Sequence, residues 1–312
     1  MSTPVWAPDR PVDLDLAART IATQFPDLAG EPVRRIGAGW DNAVFGVGDG
    51  DAWVFRFIHR STALEGSAAE LAVLSALPDD LPLPVPRPLL IGTPTPEVPW
   101  PFWGARFVPG TEIAEADLPD DARGPAASAV GAFLRRLHDP TLAARVLTAA
   151  RERGVTLRVD PLGRASPARI VPRARQTLDR LRTAGTLRPD PAVDRLLAEV
   201  HLGAPDGDPV LVHGDLHIRH VLVDGGAPSG IIDWGDACLG HAAIDLMIGF
   251  LAFGGTARSE FRAAYGPITE ETELRARVLA VHIAALLTEQ AVADGMTAVA
   301  REALAALGRA AR

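Results

Sequence analysis

The sequence predicts an α+β fold with two lobes, a small N-terminal lobe on an antiparallel β-sheet and a larger, mainly helical C-terminal lobe. Three short β-rich runs near the start of the chain, a proline-rich segment after them, and helical spacing of apolar residues from about residue 122 support this prediction. The length of 312 residues is also more typical of two domains than of one. We place the lobes at residues 1–109 and 110–312.

The N-terminal lobe begins with an amphipathic helix, predicted near Leu14 to Phe25. The runs "VRRIG", "NAVFGVG" and "AWVFRFI" follow, and the glycine and aspartate between them are typical of a β-meander. Apolar residues at helical spacing then predict a helix from Ser61 to Leu77.

Proline dominates the segment "LPDDLPLPVPRPLLIGTPTPEVPWP", which excludes a helix or a central strand and predicts a rigid connection. A strand is predicted next at "FWGARFV", and "VPGTEI" then turns the chain out of the first lobe. Segments such as "AASAVGAFLRRLHD" have apolar residues at helical spacing, so we expect the C-terminal lobe to be helical.

The charge and composition of the chain disfavour several classes of binding partner. The net charge of −8 disfavours nucleic acids and anionic membranes, and the longest apolar runs are shorter than the roughly 18 residues of a membrane helix. Residues 151–188 carry ten arginines and three acids but no aromatic residue, which favours a solvated helical face over a nucleic-acid site. The single cysteine, Cys238, and the lack of an apolar leader predict a cytoplasmic protein.

Titratable residues concentrate in "LVHGDLHIRHVLVDGGAPSGIIDWGDA", which has three histidines and four aspartates in residues 211–237. A tight loop between two apolar runs presents Asp215, His217 and His220. The chain is then predicted to turn at "GGAPSG", and a third run ends at Asp233. We expect the carboxylates of Asp215 and Asp233 to emerge from neighbouring strand ends. They would repel each other unless a cation or hydrogen-bond donors lay between them, and one could accept a proton from a hydroxyl group.

The "HGD" ending at Asp215, a polar residue at 220 and the "IDW" around Asp233 resemble the catalytic loop and metal-binding motif of the aminoglycoside phosphotransferases. These are antibiotic kinases with a protein-kinase-like fold, and the resemblance extends from about Val33 to Tyr265. It implies that Asp215 receives or orients the proton of an acceptor hydroxyl and that Asp233 holds Mg²⁺ against the β- and γ-phosphates of ATP or GTP.

Position 220 departs from the commonest family pattern, in which asparagine is a second magnesium ligand. The motif here is similar to the "HGDLHxxHxLxD" of the macrolide phosphotransferases, a branch with histidine at this place. His220 is either a metal ligand or a hydrogen-bonding partner of a phosphate, a metal-bound water or Asp215. This histidine favours a macrolide acceptor, with an aminoglycoside next and another hydroxylated metabolite, such as a sugar or amino alcohol, still open.

Other residues near the motif have expected roles that are less direct. We expect His217 to order the loop and His213 to pack at a strand end. The resemblance implies that Asp245 braces the catalytic loop through backbone hydrogen bonds, and a helix N-terminal cap is the alternative. Cys238 is expected to be a buried thiol rather than a nucleophile.

The resemblance also implies a nucleotide clamp in the first lobe. "RIGAGWDN" places Gly37 and Gly39 in a turn before Asn42, where backbone N–H groups could approach phosphates, and a plain hairpin turn is the alternative. Arg56 takes the position of the protein-kinase lysine on the third strand, because the chain has no lysine. Its implied partner is Glu70, with Glu65 as a rival and an exposed surface pair as another alternative.

The hinge strand of the resemblance falls on Arg106, Phe107 and Val108, whose backbone groups would bind the purine. Two other functions remain open. Asp215, His217 and the other histidines of the motif could form the metal site of a phosphoesterase, and Arg56 and His220 could mark a nucleotide-binding pseudokinase without turnover. The sequence indicates no oligomeric state.

Overall fold

The structure is a computed structural model that describes residues 8–38, 41–200, 203, 205 and 207–312. It forms two compact units. The first contains the chain up to Ala76 together with Val85–Val108, and the second contains Leu77–Pro84 and Pro109–Arg312. In its described part the chain has the predicted α+β architecture, a small antiparallel sheet in one unit and mainly helices in the other.

The first unit is built on an antiparallel sheet in the order β1-β2-β3-β5-β4. Its strands are β1 (Val33–Ala38), β2 (Asn42–Val47), β3 (Trp53–Ile58), β4 (Leu90–Gly92) and β5 (Phe102–Arg106). The predicted meander corresponds to β1, β2 and β3. The proline-rich connection contains a strand that the sequence did not predict, and this strand, β4, lies at the sheet edge, where proline is tolerated.

Aromatic side chains fill the core of this unit. Phe45, Phe55, Phe57 and Phe102 are fully buried, and the rings of Phe57 and Phe102 stack with centroids 4.5 Å apart. Helix α1 (Leu14–Gln24) contributes buried apolar residues to the same core. Helix α2 (Leu64–Ala76) follows the sheet at the place where the sequence predicts a helix.

The second unit has two small antiparallel sheets, β6-β8-β9 and β10-β7. Their strands are β6 (Thr111–Glu112), β7 (Val210–Val212), β8 (Val221–Asp224), β9 (Ala227–Ile231) and β10 (Cys238–Gly240). Strands β7 and β9, which lead to Asp215 and Asp233, lie in different sheets. Their ends are nevertheless neighbours as expected, because His213 after β7 contacts the Ile232 carbonyl after β9 at 3.0 Å.

The hairpin between β8 and β9 is tighter than the predicted "GGAPSG" turn. Only Gly225 and Gly226 lie between the strands, and both have positive φ angles, 55° and 85°. Two such residues form the turn that matches the twist of a hairpin, and glycine adopts it without steric cost. The rest of the predicted turn therefore extends β9.

Helices form the rest of this unit. They are α3 (Gly124–Leu137), α4 (Pro140–Glu152), α5 (Pro167–Thr183), α6 (Pro191–Glu199), α7 (Ala243–Leu246), α8 (Ile248–Leu251), α9 (Gly255–Tyr265), α10 (Glu270–Ala293) and α11 (Thr297–Ala311). Helices α4, α5 and α6 each begin at a proline, whose fixed φ suits a first helical position. By length and composition α10 could cross a membrane, but 67% of its apolar window is buried inside the fold, as in the core helix of a globular protein.

Candidate active site

The loop at residues 213–220, which we name the HGD loop, connects β7 to β8. Gly214 has a φ of 90°, and a Cβ atom there would lie 2.2 Å from the backbone oxygen of Asp236. Glycine is therefore required on two grounds, a left-handed conformation and a close backbone approach. The next residue, Asp215, keeps a quarter of its side chain (25%) exposed.

Asp245 in α7 braces the beginning of this loop. Its two carboxylate oxygens accept hydrogen bonds from the backbone N–H groups of His213, at 2.7 Å, and Gly214, at 3.0 Å. His138 Nε2 lies 3.2 Å from the same carboxylate, and the Asp245 side chain is 0% exposed. The implied bracing role is confirmed, and the alternative of a helix cap is wrong because Asp245 lies inside α7 and caps no N–H group of that helix.

His213 joins the HGD loop to the segment that carries Asp233. It is fully buried, and burial lowers the pKa of His213 although the charge of Asp245 opposes this shift. The neutral ring donates through Nε2 to the Ile232 carbonyl, at 3.0 Å, and accepts the Asp215 N–H at Nδ1, at 3.3 Å. The prediction of a packed strand-end histidine is confirmed.

His217 and His220 stack on each other, with ring centroids 3.8 Å apart. His217 Nδ1 accepts the backbone N–H of Arg219 at 3.2 Å, so the neutral ring carries its proton on Nε2, which lies 3.7 Å from Asp215 Oδ2. Burial, followed by the neighbouring His220, lowers the pKa of His217 well below its usual value. His217 is therefore a neutral donor beside Asp215, and its contacts order the loop as predicted.

His220 lies between the two aspartates of the motif. Its Nδ1 donates to the backbone carbonyl of Asp215 at 2.8 Å, and its Nε2 lies 3.4 Å from Asp233 Oδ2. Nε2 and the Asp233 oxygen thus face each other, and a cation between these two atoms could be bound by both. The donor set of His220 and Asp233 thus fits a divalent metal ion.

A second group of potential metal ligands overlaps this one. Among the described residues, Asp215, His217 and His220 bring ligand atoms within 4.8 Å of one another. The hydrogen bond from Arg219 to His217 Nδ1 places the proton of that ring on Nε2, the atom nearest Asp215. A zinc ion at this group would require the other tautomer of His217, so the geometry does not favour the phosphoesterase alternative.

Arg164 contacts the carboxylate of Asp215, which the sequence did not predict. Its Nη2 lies 3.1 Å from Asp215 Oδ1 and 2.7 Å from Asp236 Oδ2, and its Nη1 donates to the Gly214 carbonyl at 2.5 Å. The side chain is only 17% exposed. The expectation of a solvated helical face for this stretch is wrong for Arg164, which precedes α5 and points into the fold.

In the first unit Arg56 and Glu70 form a buried ion pair. Arg56 Nη1 lies 2.6 Å from Glu70 Oε1, and the side chains are 15% and 2% exposed, which excludes the exposed surface pair. Arg56 is central in β3, opposite Val44 of β2 and Trp103 of β5. Glu70, one of the two candidate acids, thus contacts the arginine fork.

The predicted glycine turn is described only in part. Gly39 lies outside the described residues, Gly37 is paired with Val44 inside β1 rather than in a turn, and Asn42 begins β2. A bulge between Arg35 and Gly37 shifts the register just before this segment. Gly37 is therefore part of the β1–β2 pairing, which corrects its predicted place in the turn.

The predicted hinge residues end the first unit. Arg106 closes β5 with its guanidinium 3.9 Å from the centroid of the Trp53 ring, a cation–π contact. The Phe107 N–H donates to the Ala52 carbonyl at 3.2 Å, so this donor is engaged within the first unit. Val108 is the last residue of this unit.

Comparison with known proteins identifies the family of this chain. The profile of the phosphotransferase enzyme family (APH) matches residues 32–279, most of the chain. The chain belongs to the phosphotransferase enzyme family. This match confirms the predicted family and the prediction that the protein is a phosphoryl-transferring enzyme. No curated protein sequence matches this phosphotransferase.

Solved structures share the fold of this phosphotransferase. The GDP complex of aminoglycoside 2'-phosphotransferase-IIIa is 21% identical with a TM-score of 0.65, over 96% of this chain and 99% of that one. Macrolide 2'-phosphotransferase MphH from Brachybacterium faecium is 25% identical with a TM-score of 0.58, over 95% and 98%. The streptomycin–ATP complex of APH(2")-IIa is 15% identical with a TM-score of 0.56, over 95% and 99%.

The residues of this phosphotransferase that sequence reasoning missed are Arg164 and Asp236. Asp236 lies inside the quoted motif but was given no role, and Arg164 precedes the HGD loop by about fifty residues in an arginine-rich stretch. One local signal could have drawn attention to Arg164. The "DPLGRAS" around it interrupts the helical pattern with a proline and a glycine, which is typical of a loop rather than of a solvated helix.

Proposed function

We propose that this phosphotransferase moves the γ-phosphate of ATP or GTP to a hydroxyl group of a small molecule, with Asp215 receiving or orienting the hydroxyl proton. One observation carries the proposal. His220 contacts both the backbone of Asp215, at 2.8 Å, and the carboxylate of Asp233, at 3.4 Å, so a proton acceptor and a metal-binding carboxylate lie on either side of one ring.

Phosphoryl transfer depends on positioning and charge neutralisation more than on covalent help from the protein. The Asp215 carboxylate suits a proton acceptor because Arg164 and His217 face its two oxygens, which limits its rotation, while the side chain stays partly exposed. Asp233 offers the oxygen ligand that Mg²⁺ prefers, and His220 Nε2 binds the ion directly or through a water molecule. When bound, Mg²⁺ would neutralise charge on the β- and γ-phosphates.

In the first unit we assign phosphate binding to Arg56. Its guanidinium carries a permanent charge and a bidentate fork, and the buried Glu70 orients that fork at 2.6 Å. Asn42 and the segment of Gly37 and Gly39 are proposed to approach the phosphates through backbone groups. Arg106 and Val108 remain proposed purine contacts through backbone atoms, and for Phe107 the proposal is confined to its carbonyl group.

For the acceptor we favour a macrolide, with an aminoglycoside next and another hydroxylated metabolite third. The histidine at position 220 supports the macrolide, and a macrolide 2'-phosphotransferase is among the structural neighbours. The charge near Asp215 supports it too. Asp236, a carboxylate that could attract a polycationic aminoglycoside, already pairs with Arg164 at 2.7 Å, which reduces the gain from binding a polycation. We place the reaction in the cytoplasm, where nucleoside triphosphates are available.

The test is phosphoryl transfer from labelled ATP and GTP, with magnesium, to separate panels of macrolides, aminoglycosides and polyols. We expect labelled macrolide from the wild-type chain. The variant Asp215→Asn, which keeps the side-chain shape, should bind magnesium nucleotide as the wild type does and lose turnover. Asp121→Asn, an exposed acid in the same unit, is the matched control and should behave as the wild type.

Other outcomes would support the alternatives. Phosphate release from phosphate esters without any nucleotide, dependent on zinc, would replace this proposal with the phosphoesterase. Nucleotide binding without transfer to any acceptor in the three panels would replace it with the pseudokinase. Unchanged turnover in Asp215→Asn would remove Asp215 from its assigned role.

A further inference from the structure

We propose that Arg164 is a positioning residue for phosphoryl transfer, which holds the Asp215 carboxylate in place by tying the HGD loop to Asp236. The assignment rests on the proposed function, because it gives Arg164 its role through Asp215. No sequence motif includes Arg164, and the side chain lies in a loop that precedes α5.

The guanidinium joins two loops at three points. Nη1 donates to the Gly214 carbonyl at 2.5 Å, and Nη2 lies 3.1 Å from Asp215 Oδ1 and 2.7 Å from Asp236 Oδ2. A planar fork with donors on separate nitrogen atoms can make these contacts together, whereas the ammonium group of lysine has a single nitrogen. Arginine at this position is therefore matched to the geometry of the carboxylates as well as to their charge.

The backbone around Arg164 is held in place by several hydrogen bonds. The Asp160 carboxylate accepts the N–H groups of Arg164, at 2.7 Å, and Ala165, at 2.9 Å, and Arg275 donates to the Ala165 carbonyl at 3.0 Å. The Asp160 N–H donates to the carbonyl of Leu239 in β10, at 2.8 Å.

Asp160 has a φ of 38°, a left-handed conformation that is uncommon for a residue with a side chain. Such a conformation persists only where the surrounding contacts fix it, and here those contacts fix the backbone of Arg164. The contacts that hold this loop come from the protein itself, and a residue that positions another needs such support.

The negative charges of Asp215 and Asp236 require a cation between them. Asp215 and Asp236 both lie within 3.1 Å of the same guanidinium nitrogen, so without a cation the two carboxylates would repel each other. Burial opposes the charge on the guanidinium, but these two acids outweigh burial and raise the pKa of Arg164. His217 Nε2, 3.7 Å from Oδ2, faces the other Asp215 oxygen, so the carboxylate has a donor on each side.

The test compares Arg164→Gln, Arg164→Lys and the double variant Arg164→Gln with Asp236→Asn. Arg180→Gln is the matched control, because Arg180 forms an exposed pair with Glu289 at 2.6 Å. We expect Arg164→Gln to lower kcat about a hundredfold, the effect of a misplacement of about 1 Å, with KM for the nucleotide nearly unchanged. Lysine should restore part of kcat, and Asp236→Asn should restore part of it by removing the repulsion.

A second measurement is independent of turnover. Hydrogen exchange of the backbone amides in residues 213–217 and 233–237 should be faster in Arg164→Gln than in the wild type and in Arg180→Gln. It should be intermediate in Arg164→Lys, because a single ammonium nitrogen replaces only part of the guanidinium contacts. If the wild type phosphorylates no acceptor, the proposed function fails, and the exchange rates alone decide whether Arg164 holds the loop.

Three results would overturn the proposal. The first is a wild-type kcat in Arg164→Gln. The second is a loss of kcat that matches the loss of folded protein and is not relieved by lysine or by Asp236→Asn, which would indicate a structural role alone. The third is unchanged amide exchange in both segments.

Discussion

The variant Asp245→Asn tests how a single buried carboxylate holds the HGD loop. Asp245 is fully buried and accepts the N–H groups of His213 and Gly214, one on each oxygen. An asparagine has nearly the same shape but presents one oxygen and one NH₂ group, so one of the two N–H donors would face another donor. The loop would lose a hydrogen bond to a charged group and keep a buried N–H without an acceptor.

The expected cost follows from these two terms. A hydrogen bond to a charged group contributes about 1.5–3 kcal/mol, and a buried donor without a partner costs about 1–3 kcal/mol. The two overlap, so we expect the free energy of unfolding to fall by about 3 kcal/mol. Most of a typical stability of about 5–15 kcal/mol would remain, so the variant should fold.

Urea unfolding of Asp245→Asn, with Asp121→Asn as the exposed control, measures this cost. The control should lie within about 0.5 kcal/mol of the wild type. Phosphoryl transfer should fall more than stability explains, because Gly214 directly precedes Asp215 and its displacement moves the proton acceptor. A cost below about 1 kcal/mol would show that neither N–H group depends on the carboxylate, and the bracing argument would be refuted.

Two further predictions concern other buried groups. In Glu70→Gln, Arg56 loses a buried ion partner, so the free energy of unfolding should fall by about 3 kcal/mol. The binding of magnesium nucleotide, measured by calorimetry, should also become weaker. An unchanged affinity would remove Arg56 from phosphate binding. His282, buried in α10, has its pKa lowered to about 4, first by burial and then by Arg173 and Arg164. The unfolded chain therefore binds a proton on His282 more readily than the folded chain does. The free energy of unfolding should fall as the pH drops from about 6.5 to 4, and this fall should be about 3 kcal/mol larger in the wild type than in His282→Gln. Parallel stability curves for the two proteins over this pH range would contradict the shift.

Local patterns in the sequence were enough to predict much of the fold. Glycine and aspartate between β-rich runs place β1, β2 and β3, because turns need residues that tolerate special backbone angles. The partner strand of a segment is not local information, so the sequence could not show that β7 and β9 belong to different sheets or that β4 joins the sheet edge. The same limit applies to the "GGAPSG" turn, which pairing with β8 shortens to Gly225 and Gly226.

The candidate site also contains residues that the local sequence predicts and a residue that only the fold brings in. The residues of the HGD loop are close in sequence, so the motif could place Asp215, His217 and His220 together. Arg164 reaches that loop only through the fold, since its own loop is tied to β10 by Asp160. A side chain brought to a site by tertiary contacts has no fixed spacing from the motif it serves, and its arginine-rich surroundings favoured a solvated position.

The titratable groups of residues 211–237 and the nearby Asp245 differ in how the structure satisfies them, and this difference separates their roles. Backbone N–H groups satisfy the buried Asp245, and the guanidinium of Arg164 compensates Asp236 and contacts Asp215. Asp233, about half exposed, lies with one carboxylate oxygen 3.4 Å from Nε2 of His220. A cation between these two atoms would be bound by both. This contact supports the proposed metal site at Asp233 and His220, whereas the guanidinium of Arg164 already supplies positive charge at Asp215.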